Sequence, residues 1–248
     1  MKRKERHHLK ENELAHSIAA ARGAIEARKG QLTGVLLVLL VIAAVAGGII
    51  VWRQEDNVRA QRLLADAMVT FNARVIPATA APDQPGEVPA AATFGATGSY
   101  ATEAAKLNAA LPKLKAAADA YPDTDAGVTA RYHYASSLAA LGKRPEAIQA
   151  FDEVVLRAGN NSLYGRMARL GKADTQVRAG QLEAAIATWK ELSSSTDAEL
   201  PKDAILMELG KAYQASGNQE EARKAFTQIV DEHPTSPYLA EARAELGS

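Results

Sequence analysis

Active sites are usually assembled from histidines, paired carboxylates and activated nucleophiles, and in this 248-residue chain such groups are few and scattered. His7, His8 and His16 stand in the N-terminal tail without HExxH-type spacing, so no metal site is expected there. His233 precedes Pro234 at an expected helix end, where a surface or helix-dipole role suits it. Glu220 and Glu221 are adjacent, so on a helix they diverge and cannot work as an acid/base pair. Cysteine is absent, which removes thiol catalysis, disulfides, thiolate metal sites and a lipidated cysteine. The expectation is a non-enzyme with no catalytic residue, no cofactor, no metal and no small-molecule substrate.

The chain balances 29 basic against 29 acidic residues, but the balance is uneven along its length. Residues 1–31 hold eight basic and four acidic groups, a surplus of four positive charges, which leaves 21 basic and 25 acidic groups for the remainder. A mildly acidic domain lacks the concentrated basic face that phosphate binding needs, so nucleic acid is not an expected partner.

Between these parts, Leu32 to Trp52 is a stretch of 21 residues without a charge, bounded by Arg28-Lys29 and Arg53. As a helix it rises about 31 Å, enough to cross a hydrocarbon core. Ala44-Val45-Ala46 before Gly47 imitates a signal-peptide cleavage site. Against cleavage stand the long preceding tail and the continuation of the apolar run through Ile49, Ile50 and Val51 to Trp52. An uncleaved anchor is therefore expected. The basic tail should remain cytoplasmic and the large C-terminal part should be exported, although Arg53, Arg59 and Arg62 match Arg22, Arg28 and Lys29 across the span. Ala43 with Gly47, and Ala44 with Gly48, are spaced like helix-contact pairs but also fit ordinary span composition.

Beyond the span the sequence repeats itself. LGKRPEAIQAFDEV, AGQLEAAIATWKEL and SGNQEEARKAFTQI align without gaps, matching Gly142 with Gly180 and Gly217, Ala147 with Ala185 and Ala222, and Phe151 with Trp189 and Phe226. A period of 37 to 38 residues with helical patterning and a central glycine describes stacked helix-turn-helix units. The glycine permits positive φ, the alanine lets helices cross closely, and the aromatic four residues later fills the gap.

These residues resemble the tetratricopeptide repeat family, and the last repeat matches best, with Leu209-Gly210, Tyr213, Gly217, Ala222, Phe226 and Pro234 at the family's intervals. The first two repeats put Leu138 and Gln176 where the tyrosine would stand. Both periods exceed the usual 34 residues by about one helical turn, which suggests longer helices and not longer loops. The resemblance implies an all-α fold: a transmembrane helix followed by a tetratricopeptide-like α-solenoid of three clear repeats plus one degenerate repeat. In the family's register, Tyr132, His133 and Ser136 would line a concave groove in the first repeat, Asp174 and Arg178 in the second, and Lys211 and Gln214 in the third. Such a mixed surface suits a polypeptide, while a plainly solvated helix face remains the competing reading.

Helix signals complete the layout. Asn161-Ser162 can cap a helix through Val177, Thr196 with Glu199 has capping-box spacing, and Pro145 and Pro201 fit first turns. Asn160-Asn161-Ser162 also has the form of a glycosylation sequon, read as chance. Tyr121-Pro122-Asp123-Thr124 parallels His233-Pro234-Thr235-Ser236, so a degenerate repeat should precede the clear ones, with helices over Gln54–Val75 and Tyr100–Ala120 and an interruption at Pro112. Expected domains are a basic cytoplasmic tail (1–31), a transmembrane helix (32–52), a membrane-proximal helix (53–76), a Pro/Ala/Gly-rich loop (77–99) and the repeat domain (100–248), ending in a capping helix over Pro237–Leu246.

The layout of tail, single anchor and exported repeat domain resembles the YfgM family of bacterial inner-membrane proteins. That resemblance implies an ancillary, chaperone-like role at the Sec translocon in the periplasm, with exported polypeptides, translocon subunits or a periplasmic folding factor as partners. The alternative is a structural adaptor for outer-membrane or cell-wall assembly machinery.

Overall fold

A computed structural model describes residues 29–76, 98–197 and 199–247. Most of the basic tail, with His7, His8 and His16, and residues 77–97 of the expected loop lie outside these described residues. Two compact units are present, residues 1–55 and 56–248.

In the first unit the described chain is one helix. Helix α1 runs over Lys29–Phe71, 43 residues, and enters the second unit without a break. No break in the helix marks the expected end of the span at Trp52: the helix runs on through Arg53 and Gln54. From Leu37 to Trp52 the large apolar side chains are exposed on every side. A helix that is apolar all round needs burial or lipid, and α1 is long and apolar enough to cross a membrane.

In the second unit α1 ends at Phe71, four residues before the expected Val75, because Arg74–Val75 forms a short strand, β1. It pairs in parallel with β2, Ser99–Tyr100, and the Ile76 N–H extends the pairing to the Tyr100 carbonyl at 2.9 Å. The repeat-domain helices follow: α2 (Glu103–Ala120), α3 (Asp125–Ala140), α4 (Arg144–Ala158), α5 (Leu163–Arg178), α6 (Leu182–Ser194), α7 (Lys202–Ala215) and α8 (Gln219–Glu232). The short α9, Leu239–Gly247, closes the unit. From α2 to α9 each helix packs on the next, and α3 also touches α5, the nearest-neighbour pattern of a solenoid.

The turns inside the repeats are built alike. Gly142, Gly180 and Gly217 have φ of 76°, 74° and 82°. Each glycine N–H reaches back three residues at 3.0 Å, and the following N–H reaches back five, from Lys143 to Leu138, Gln181 to Gln176 and Asn218 to Tyr213. This doubly bonded ending satisfies the last carbonyls of α3, α5 and α7 and turns the chain into the second helix. The junctions between repeats also correspond: Thr124 N–H bonds the Tyr121 carbonyl, Ser162 the Gly159 carbonyl and Ser236 the His233 carbonyl, at 3.2, 3.3 and 3.0 Å. The match drawn between residues 121–124 and 233–236 is thus a match of backbone geometry.

Two local expectations fail, and a third holds for one period only. Helix α2 passes through Pro112 without a break; Ala110, Leu111 and Leu114 are all buried, so packing on both sides offsets the missing N–H. Thr196 and Glu199 form no capping box. Helix α7 starts at Lys202 with Pro201 at its N-cap, and the Glu199 carboxylate pairs instead with Arg166 from α5. Finally, the extra length of the second period lies in residues 195–201 between α6 and α7. That of the first lies in the helices, since α4 and α5 have 15 and 16 residues against 13 and 14 for α6 and α7.

Candidate functional site

The repeat-packing residues form the frame. Ala147, Ala185, Ala222 and Phe226 are at most 1% exposed, and Phe151 and Trp189 are nearly as deep. Gly210 explains itself by contact: a Cβ there would lie 2.4 Å from the Phe226 ring, so the ring occupies the space a side chain would need. Gly171, which the repeat alignment does not single out, has the same relation to Phe151 at 2.7 Å. Where the tyrosine is missing, Leu138 is simply buried, whereas the Gln176 side-chain carbonyl accepts a hydrogen bond from Thr188 Oγ1 at 3.1 Å.

On this frame, the seven expected groove residues fall into three different situations. Tyr132 and His133, on α3, belong to a row of rings. The centroid distances are 4.9 Å from Phe71 to His133, 5.6 Å from His133 to Tyr132 and 5.5 Å from Tyr132 to Tyr164, with Phe151 beneath at 6.1 Å. The spacings and tilts are those of favourable edge contacts between rings. Phe71, Tyr132, His133 and Tyr164 are all half-buried. Burial pushes the His133 pKa below its ordinary value, which keeps the imidazole neutral near pH 7. Ser136, one turn further along α3, is half-buried too. Phe71 and Tyr164 are the members that sequence reasoning missed. Their one signal is scarcity: the chain has only 13 aromatic residues, and four of them meet here.

Asp174 and Arg178 are exposed and bond each other along α5 at 2.9 Å. Lys211 and Gln214 are bonded to the closing helix. Lys211 Nζ meets Glu241 at 2.9 Å, and Gln214 Nε2 donates to Glu245 Oε2 at 2.7 Å. The Glu241 hydrogen bond raises the Lys211 pKa further above its usual range. The structure therefore sets Tyr132 and His133 among rings, with Ser136 one turn away on α3, while Asp174 pairs with Arg178 and Lys211 and Gln214 pair with α9.

A second depression, lined by Asn161, Arg166, Ser195, Asp197 and Glu199, is a repeat junction: Arg166 spends its guanidinium on Asp197, Glu199 and the Asn161 carbonyl. Among the described residues, no three His, Asp or Glu side chains gather as a metal site.

Residues 96–162 and 204–236 match tetratricopeptide-repeat family models, covering α2 through α4 and most of α7 and α8. No curated protein matches the chain. Similar solved structures include the "MamA RS-1 ArsTM double mutant", at 23% identity, 57% of this chain, 72% of that chain and a TM-score of 0.46. A putative kinesin light chain from Podosopora anserina with nearly identical TPR-like repeats is similar at 19% identity, 57% and 76% coverage and a TM-score of 0.48. A point variant of that same protein stands at 18%, the same coverages and 0.49. The chain carries tetratricopeptide repeats in an all-α solenoid, preceded by one helix apolar enough to span a membrane. Tetratricopeptide repeats bind other proteins, and their presence suggests a protein–protein interaction scaffold.

Proposed function

We propose that this chain is a single-pass inner-membrane protein, N-terminus cytoplasmic and repeat domain periplasmic, which holds a polypeptide-binding scaffold beside the Sec translocon and assists exported chains. The observation that carries the reading is the row Phe71, His133, Tyr132 and Tyr164. Half-exposed rings with neutral polar edges offer apolar contact and hydrogen bonding without a charge preference, the requirement for receiving many sequences. The cytoplasmic placement of the tail rests on its positive surplus, and the translocon role on the YfgM-like layout.

Affinity capture from detergent-solubilised membranes, with the full chain and with a form lacking residues 1–52, tests the reading. Translocon subunits should accompany the full chain and fall away when the anchor is removed. Recovery of no translocon component in either case would overturn the translocon role. One stoichiometric outer-membrane or cell-wall assembly factor would replace it with the adaptor reading.

A further inference from the structure

His133 is the one member of the ring row whose charge can change near neutral pH, and it stands inside the row. Phe71, the last residue of α1, lies 4.9 Å from it, and Tyr132 of α3 lies 5.6 Å from it. Neither ring brings a carboxylate to balance an imidazolium. On the helices around it, the carboxylates of Asp66, Glu103, Asp119, Asp152, Glu153 and Asp174 are paired with Lys113, Lys106, Arg131, Lys172, Arg131 and Arg178. Asp125 and Glu146 are exposed in the first turns of α3 and α4. Among the described residues His133 therefore has no carboxylate partner. A cation does stand beside the row: Lys106 Nζ is 6.0 Å from the centre of the Phe71 ring.

We infer that polypeptide binding at the row and protonation of His133 exclude one another, so that acidification releases the ligand. The inference rests on the row being the polypeptide site. His133 is half-buried, and a chain laid across the rings takes away more of its water. A neutral imidazole bears that loss, whereas an imidazolium without a carboxylate partner does not. Protonation would also set a second cation against the ring that Lys106 already flanks. Burial already holds the His133 pKa below its ordinary value, and a bound chain should lower it further. By linkage, affinity then falls by up to about tenfold for each pH unit below the value in the free chain. The switch governs apolar and uncharged polar segments. A carboxylate in the ligand would pair with the imidazolium and cancel it.

The test measures binding of an acetylated and amidated peptide of Leu, Phe, Pro, Gln and Ser, which has no titratable group, to the full chain in phosphatidylcholine nanodiscs. Affinity at pH 5 should be at least about threefold weaker than at pH 7.5. In His133→Gln and in His133→Phe, which keeps a ring, affinity should differ less than about 1.5-fold between the two pH values, with equal helicity by circular dichroism. In the unmodified chain the His133 ring resonance, assigned by its loss in His133→Gln, should titrate at lower pH with peptide bound than without. Equal or tighter binding at pH 5, a pH dependence that survives in either variant, or a ring that titrates no lower in the complex would each overturn the inference. Binding at pH 7.5 with no pH dependence refutes only the switch, while no binding at pH 7.5 refutes the polypeptide site and the switch together.

Discussion

The first clear repeat and the last share one frame and finish it differently. In the first, Arg131 on α3 holds Glu153 on α4 at 2.7 Å, and the second repeat copies the pair at the same separation with Arg169 and Glu191 at 2.8 Å. In the last, the corresponding residues are Leu206, buried, and Gln228. The first repeat also carries half-buried rings beside Phe71, whereas the candidate groove residues of the last are bonded to Glu241 and Glu245 of α9. A solenoid must end somewhere, and a terminal helix with carboxylates answers the exposed last face. The difference teaches that equivalent register positions need not be equivalent surfaces: among the described residues, the candidate positions of the first repeat meet other rings, and those of the last are bonded to α9.

The largest test of the shared frame is the central aromatic. Phe226→Ala and Phe151→Ala should each cost about 3–5 kcal/mol in urea unfolding followed by circular dichroism, since both rings are buried. A loss below about 1 kcal/mol at either site would mean the two repeats are not packed on the same plan. Gly210→Ala comes next, at about 1–3 kcal/mol, because the new methyl meets the Phe226 ring. Gly142→Ala and Gly217→Ala should cost about 1–2 kcal/mol each through positive φ alone, nearly equal at the two ends.

The aromatic end should also be the pH-sensitive one. Burial lowers the folded-state pKa of His133, so as pH falls the unfolded chain takes up the proton first. Above the ordinary histidine value of about 6.5 both states are neutral and no stability is lost; below it, stability falls until pH passes the folded-state pKa. His133→Gln should flatten that part of a melting-temperature profile; an unchanged slope would place the sensitivity elsewhere. Smallest of all, Arg131→Ala and Arg169→Ala should each lose about 0.2–1 kcal/mol, shrinking with added salt, because the glutamates are half-exposed or more.

The repeats were legible because their signals are local. A glycine every 37 or 38 residues, with alanine five and an aromatic nine residues later, marks turn, crossing and filler within one helix pair. The cap at Ser162 and the first-turn place of Pro145 read correctly for the same reason. What the sequence hid depends on partners far along the chain. Glu199 has capping-box spacing, yet Arg166, 33 residues earlier, holds its carboxylate. Pro112 looks like a break until Leu111 and Leu114 are seen to be buried. The aromatic row joins residues 71, 132, 133 and 164, a set that no short window contains. Lys211 and Gln214 are bonded to Glu241 and Glu245 of α9, about 30 residues further along the chain and outside the repeat pattern.

The aromatic end of the array should bind polypeptide and the α9 end should not. Binding of an unfolded probe, reduced and carboxymethylated α-lactalbumin, to the full chain in lipid nanodiscs measures this directly by fluorescence anisotropy. Replacing Tyr132 and Tyr164 together by alanine should weaken binding at least tenfold, while replacing Lys211 and Gln214 together should change it less than twofold. Equal losses from the two pairs, or a larger loss from Lys211 and Gln214, would contradict it.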